Sequence, residues 1–157
     1  MQIVLQYPED RTPVRILSEQ GMTDDEFYDF CQANPDLRIE RTAQGEITIL
    51  PGTGGETGYR NIILSSRLYT WAESDGRGVA FDSSTEFRLP NGAARMPDAS
   101  WVDRSRLALL TREQKRRFPP ICPDFVVELI SPSDRLPEIQ EKMRPCGLLL
   151  ATQTLSP

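Results

Sequence analysis

One segment constrains this chain more than any other. Asp124-Phe-Val-Val-Glu-Leu-Ile130 is, after its opening aspartate, a nearly continuous apolar run broken by a single acid. Such a run reads as a strand covered on both faces, which requires a sheet with layers on either side. Glu128 lies inside it, between Val127 and Leu129. A carboxylate in that setting is expensive to bury unless it is paired or holds a metal. Whatever fold forms must give that acid a partner.

The rest of the chain supplies the layers. Thr23-Asp-Asp-Glu26 has the capping-box spacing, and Phe27, Phe30 and Cys31 follow on one helical face up to Pro35. Leu37–Arg41 and Glu46–Leu50 alternate around Thr-Ala-Gln-Gly, a hairpin pattern. A long helix is predicted over about 56–74, with the stripe Leu64, Leu68, Trp71 and Ala72, ended by Gly76 and Gly78. Strands are predicted at Gly78–Asp82, Thr85–Leu89 and, after the turn Pro90-Asn91-Gly92, at Arg95–Asp103. A basic helix is predicted over Ser105–Arg117, and a last helix from Ser131-Pro-Ser-Asp134 to about Met143. This order is α+β, close to α/β, with a mixed central sheet flanked by helices, plus an N-terminal helix and hairpin. At 157 residues the expectation is one domain.

Composition removes whole classes of chemistry. The chain has no histidine, which excludes a His base, a His-ligated metal and the Ser-His-Asp triad. Hard-cation chemistry on carboxylates stays open. Cys31, Cys122 and Cys146 are far apart with no CxxC pair, and read as free thiols of a cytoplasmic protein. Met1–Pro8 has no basic leader, so no signal peptide is expected, and no apolar run nears the ~20 residues of a membrane helix. The net charge of −5 is concentrated early: residues 1–50 carry ten acids against four bases, and the remainder is close to neutral. Overall charge therefore gives no nucleic-acid signature, but the acidity is not spread over the later segments.

Three acids carry the candidate chemistry. Asp98 follows Pro97 in a strand, Glu128 sits in the apolar run, and Glu56 opens the long helix. Carboxylates on adjacent strands can converge on one divalent cation, and Mg²⁺ is held by one or two carboxylates plus water and phosphate oxygen. Such an ion supports phosphodiester hydrolysis. By chemistry alone each residue has another reading. Asp98 also fits a turn or cap, Glu128 an ion pair with an arginine, and Glu56 a complement to the helix N-terminus. Lys142 also fits an exposed pair with Glu138.

The segments Pro97-Asp-Ala-Ser-Trp-Val102, Cys122-Pro-Asp-Phe-Val-Val-Glu-Leu-Ile-Ser-Pro-Ser-Asp134 and Leu136-Pro-Glu-Ile-Gln-Glu-Lys-Met143 together resemble the Uma family. These are restriction-endonuclease-like proteins of the PD-(D/E)xK nuclease superfamily. The loop Pro51–Gly58 and Phe81–Thr85 resemble it too, so the likeness runs over about residues 10–143. The resemblance implies a restriction-endonuclease-like core and a Mg²⁺- or Mn²⁺-dependent endonuclease acting on DNA. It makes Asp98 the signature acid and Glu128 the second acid, both on the metal. The superfamily's lysine two residues later is replaced by Ile130. The resemblance places the lysine on the following helix, at Lys142, with Gln140 nearby, and gives Glu56 as the acid of the first core helix.

After Lys142 the pattern departs from the family, with Arg144-Pro145 and a short apolar run at Gly147–Ala151, so the C-terminal end reads as truncated or altered from about residue 143. An uncovered sheet edge invites pairing, and a homodimer is expected. The competing reading is a catalytically inactive nuclease-fold module for binding or dimerisation.

Overall fold

A computed structural model gives the structure of the chain and describes residues 14–16, 21–130 and 144. They form β1 (Val14–Ile16), α1 (Asp24–Ala33), β2 (Arg38–Arg41), β3 (Ile47–Leu50), α2 (Gly55–Asp75), β4 (Gly78–Asp82), β5 (Phe87–Arg88), β6 (Ala94–Arg95), β7 (Ala99–Asp103), α3 (Arg104–Ala108), α4 (Arg112–Arg116) and β8 (Phe125–Val127). The α+β class is as expected. The ladders β1–β3, β2–β3, β2–β6, β4–β7 and β7–β8 all run antiparallel. Among the described residues no helix is long and apolar enough to cross a membrane. The chain divides into two compact units, one of residues 1–52 and 92–94, the other of 53–91 and 95–157.

In the first unit β3 lies between β1 and β2, with Val14 opposite Ile49 and Ile39 also opposite Ile49 from the other side. The strand β1 is not among the predicted elements; three residues are too few to show a period. The predicted capping box is present: the Glu26 amide donates to Thr23 Oγ1 at 3.3 Å, and the Thr23 amide to Glu26 Oε2 at 2.9 Å. Phe27, Ile39 and Ile47 are buried. The simple alternation read for β2 fails at its end, where Glu40 and Arg41 are both buried. Arg41 is drawn in because its fork has acceptors to fill. Nη1 donates to the carbonyls of Met22 (3.0 Å) and Thr23 (3.3 Å), Nε donates to that of Gly92 (3.1 Å), and Nη2 pairs with Asp24. The guanidinium also lies 4.8 Å over the Phe27 ring. A buried cation is tolerable when each donor is used.

In the second unit β7 is the middle strand of β4-β7-β8, and α2 packs across β4 and β7. Leu68 and Ala72 are the buried part of the predicted stripe, whereas Trp71 is 47% exposed. Gly76 ends α2 at φ +71°, a conformation that glycine adopts without strain, and its N–H returns to the Ala72 carbonyl at 2.9 Å. Gly78 has a different role. A Cβ there would lie 2.0 Å from Cε2 of Trp101, so the indole rests on bare backbone. The same indole meets Trp71 edge to face at 5.6 Å.

Three expectations are corrected. The single basic helix over 105–117 is two short helices, because Asp103 caps α3 and Thr111 forms a second capping box with Gln114 at the start of α4. The return strand from Arg95 is broken into β6 and β7, with Pro97, which has no N–H for a ladder, between them. The thiol expectation fails at Cys122, which is disulfide-bonded, while Cys31 keeps its thiol; separation in sequence does not prevent a bond that depends only on folded geometry. Cys146, Gln140, Lys142, the predicted last helix and the altered C-terminal end lie outside the described residues.

Gly78→Ala forces the Trp101 ring to move. The expected loss is about 1–3 kcal/mol, read from urea unfolding. Glu26 provides a pH test. The Thr23 amide, and then its hydroxyl, hold the Glu26 carboxyl below its ordinary value. The folded value is depressed, so this contribution is complete above the ordinary glutamate range and is lost as pH falls through the lowered value. In Glu26→Gln the acid-side loss of α1 amide protection is expected to be smaller. Equal acid lability in the two proteins would refute the cap's electrostatic role.

Candidate active site at the end of the β7–β8 ladder

The pairing of β7 with β8 sets the geometry. Trp101, Ser100 and Ala99 stand opposite Phe125, Val126 and Val127. Asp98 immediately precedes Ala99, and Glu128 immediately follows Val127. The two predicted acids therefore flank the same end of the ladder. Both are half-buried.

Asp98 ends that ladder. Its Oδ2 accepts the Leu129 N–H at 2.8 Å, so this amide goes to a side chain rather than to a neighbouring strand. This corrects the reading of 124–130 as one doubly covered strand. Only Phe125–Val127 is strand, Phe125 is 38% exposed, and Glu128–Ile130 are half-buried. The second carboxylate oxygen is also engaged, with Asn61 Nδ2 of α2 donating to Asp98 Oδ1 at 3.3 Å. An ionised carboxylate has about four acceptor positions, so two donors leave room for a further ligand on each oxygen.

The opposite end of the ladder is closed in the same manner. Asp124 Oδ2 accepts the Asp103 N–H at 2.9 Å, and the Asp124 N–H donates to the Trp101 carbonyl at 3.0 Å. Arg106 then bonds both Asp124 Oδ1 and the Cys122 carbonyl. On that side the Ser105 hydroxyl, and then its amide, hold the Asp103 carboxyl below its ordinary value.

Glu56 is placed differently from the two acids at the ladder end. It lies on the exposed first turn of α2 and pairs with Arg60 one turn on. Asn61, which the sequence reading did not single out, is the α2 residue that reaches Asp98. Its signal is positional. Asn61 stands seven residues before Leu68 and eleven before Ala72, so it continues the buried stripe with a polar side chain. Its Oδ1 is buried and has no hydrogen-bond partner among the described residues.

The donor set is all oxygen: two carboxylates and one amide. This suits a hard cation such as Mg²⁺ and does not suit a soft one. Among the described residues no group of three or more His, Cys, Asp and Glu side chains gathers for a metal, so any ion at this end would rely on the pair together with water and substrate oxygen.

The family model of Uma2, described as "Putative restriction endonuclease", matches residues 24–152. The chain belongs to the Uma2 family. The Uma2 match includes α1 and the hairpin as well as the β4-β7-β8 sheet. In fold, the chain is similar to the crystal structure of "a putative nuclease belonging to DUF820" from Anabaena variabilis, with a TM-score of 0.61 and 19% identity over 80% of this chain and 67% of that one. Comparison with curated proteins returns no match.

Removing the Asp98 carboxylate is expected to release one amide selectively. In Asp98→Ala, Leu129 N–H exchange should accelerate at least about tenfold, the scale of a charge-assisted hydrogen bond. The Asp103 amide, held by Asp124, should be unchanged. Equal protection of Leu129 in both proteins would show that Asp98 does not set the strand end.

Proposed function

We propose that this member of the Uma2 family is a divalent-cation-dependent endonuclease that hydrolyses phosphodiester bonds of DNA. The observation that supports the reading most is the position of Asp98, fixed by Leu129 and Asn61 at the ladder end where Glu128 also emerges. Asp98 and Glu128 would hold the ion, Mg²⁺ or Mn²⁺. When bound, such an ion generates a nucleophilic hydroxide and stabilises the leaving oxygen.

The chain's own residues supply the rest. The backbone N–H of Leu129 and the Asn61 amide keep the Asp98 carboxylate in one orientation, which preserves its outer lone pairs for a ligand. Lys142 is proposed to orient the attacking water or to steady phosphate charge. Glu56 is proposed to hold or relay water, and its ion pair with Arg60 would have to open for it to do so. Arg112, Lys115 and Arg116 of α4 are exposed and can neutralise backbone phosphates. A homodimer suits a twofold-symmetric duplex. The cytoplasmic setting belongs to the same reading; against it stands the Cys122 disulfide, a bond that reducing compartments disfavour.

A second reading has an observation in its favour. Ile130 occupies the position two residues after Glu128 where the superfamily's lysine usually lies, so the fold could serve binding without cleavage. Supercoiled plasmid separates the two. The parent protein with Mn²⁺ is expected to nick it, and both Asp98→Ala and EDTA should reduce nicking to background. Intact plasmid with the parent protein, or equal nicking by Asp98→Ala, would overturn the nuclease assignment.

A further inference from the structure

The Asn61 amide is oriented by its neighbour. The carboxylate of Asp98 only accepts hydrogen bonds when ionised, so the NH₂ of Asn61 must face it and Oδ1 must point away. That oxygen is buried, on a residue carried in the packed stripe of α2, yet no described residue donates to it. Buried acceptors are nearly always paired. An orphan acceptor bonded through its own amide to a candidate metal ligand is the arrangement of an outer-sphere partner.

We infer that Asn61 is a positioning residue of a divalent-cation site, with Nδ2 orienting Asp98 and Oδ1 accepting a hydrogen bond from a water of the cation's hydration shell. This inference rests on the proposed Asp98–Glu128 site and adds to it a residue from a different element. Mg²⁺ loses its water reluctantly and keeps several molecules when bound, so a site built from two acids needs acceptors for those waters. Asn61 offers one without adding negative charge. Its role is distinct from that of Glu56, whose side chain is 78% exposed and turned to Arg60.

The test is Mn²⁺ binding, followed by the electron paramagnetic resonance signal of the free ion, with unfolding midpoints measured in EDTA. The proteins are wild type, Asp98→Ala, Asn61→Leu and Asn61→Asp. Asn61→Leu keeps the size of the side chain and removes both polar atoms. It should bind Mn²⁺ about tenfold or more weakly than wild type. Asn61→Asp keeps an acceptor but sets a second charge against Asp98. It should bind Mn²⁺ at least as tightly as wild type, and its midpoint should rise more on adding the ion. A folded Asn61→Leu protein with wild-type affinity overturns the inference, as that substitution then affects structure alone. If Asn61→Leu does not fold, Asn61→Ala takes its place, and a folded Asn61→Ala protein with wild-type affinity overturns the inference. Wild-type binding lost in Asp98→Ala but unaltered at residue 61 removes only this inference. No Mn²⁺ uptake by wild type removes it together with the two-acid site.

Discussion

The second unit depends on two side-chain carboxylates placed at opposite ends of one short ladder. Three residue pairs join β7 to β8, too few to define where the pairing begins and ends. Asp124 takes the Asp103 amide at one end, and Asp98 takes the Leu129 amide at the other. Each acid sits on one strand's chain and receives an N–H from the opposite one. A slip in register would orphan both acids along with the backbone donors they satisfy, so the short ladder has one stable alignment. Asp98 thereby has a structural task before any chemistry, and the backbone that carries Glu128 is fixed by the same bond.

The signals in the sequence are strong where local chemistry dictates geometry. Thr23 with Glu26 caps α1, Gly76 closes α2, and the strand Gly78–Asp82 falls as its pattern reads. Several of the errors share an origin in side chains that capture backbone groups. Thr111 starts a new helix inside a stretch that reads as one basic helix, and Asp103 caps the first helix just ahead of it. Asp98 diverts the amide of Leu129 out of a run whose apolar residues read as strand. Arg41 goes inward because carbonyls of Met22, Thr23 and Gly92 await it, which no alternation pattern encodes. Of the candidate site, Asp98 and Glu128 are legible as acids beside apolar strand residues, although both stand just outside β7 and β8 rather than within strands. Asn61 is not, although an asparagine in line with Leu68 and Ala72 is a polar exception on an apolar stripe.

Membership of the Uma2 family and the likeness to the Anabaena fold agree with this architecture. The residues add a physical reason for its form. At the ladder end, where Asp98, Glu128 and Asn61 offer neither imidazole nor thiol, a metal would be recruited only through oxygen, and oxygen donors must be held still by neighbours if they are not to be solvated separately. At the ladder end the neighbours are a backbone amide and an asparagine, both neutral. They orient the carboxylate without cancelling its charge, as an arginine would.

The contact between Trp71 and Trp101 has a practical corollary. The chain has two tryptophans, and both belong to the second unit, one on α2 and the other on β7, with rings 5.6 Å apart. Indole emission is therefore a local gauge of how α2 seats on the β4-β7-β8 sheet, and it is optically silent about the first unit. A single smooth fluorescence transition would describe the fate of the second unit alone. The loss of α1 and its arginine cage would pass unseen unless followed through the amides.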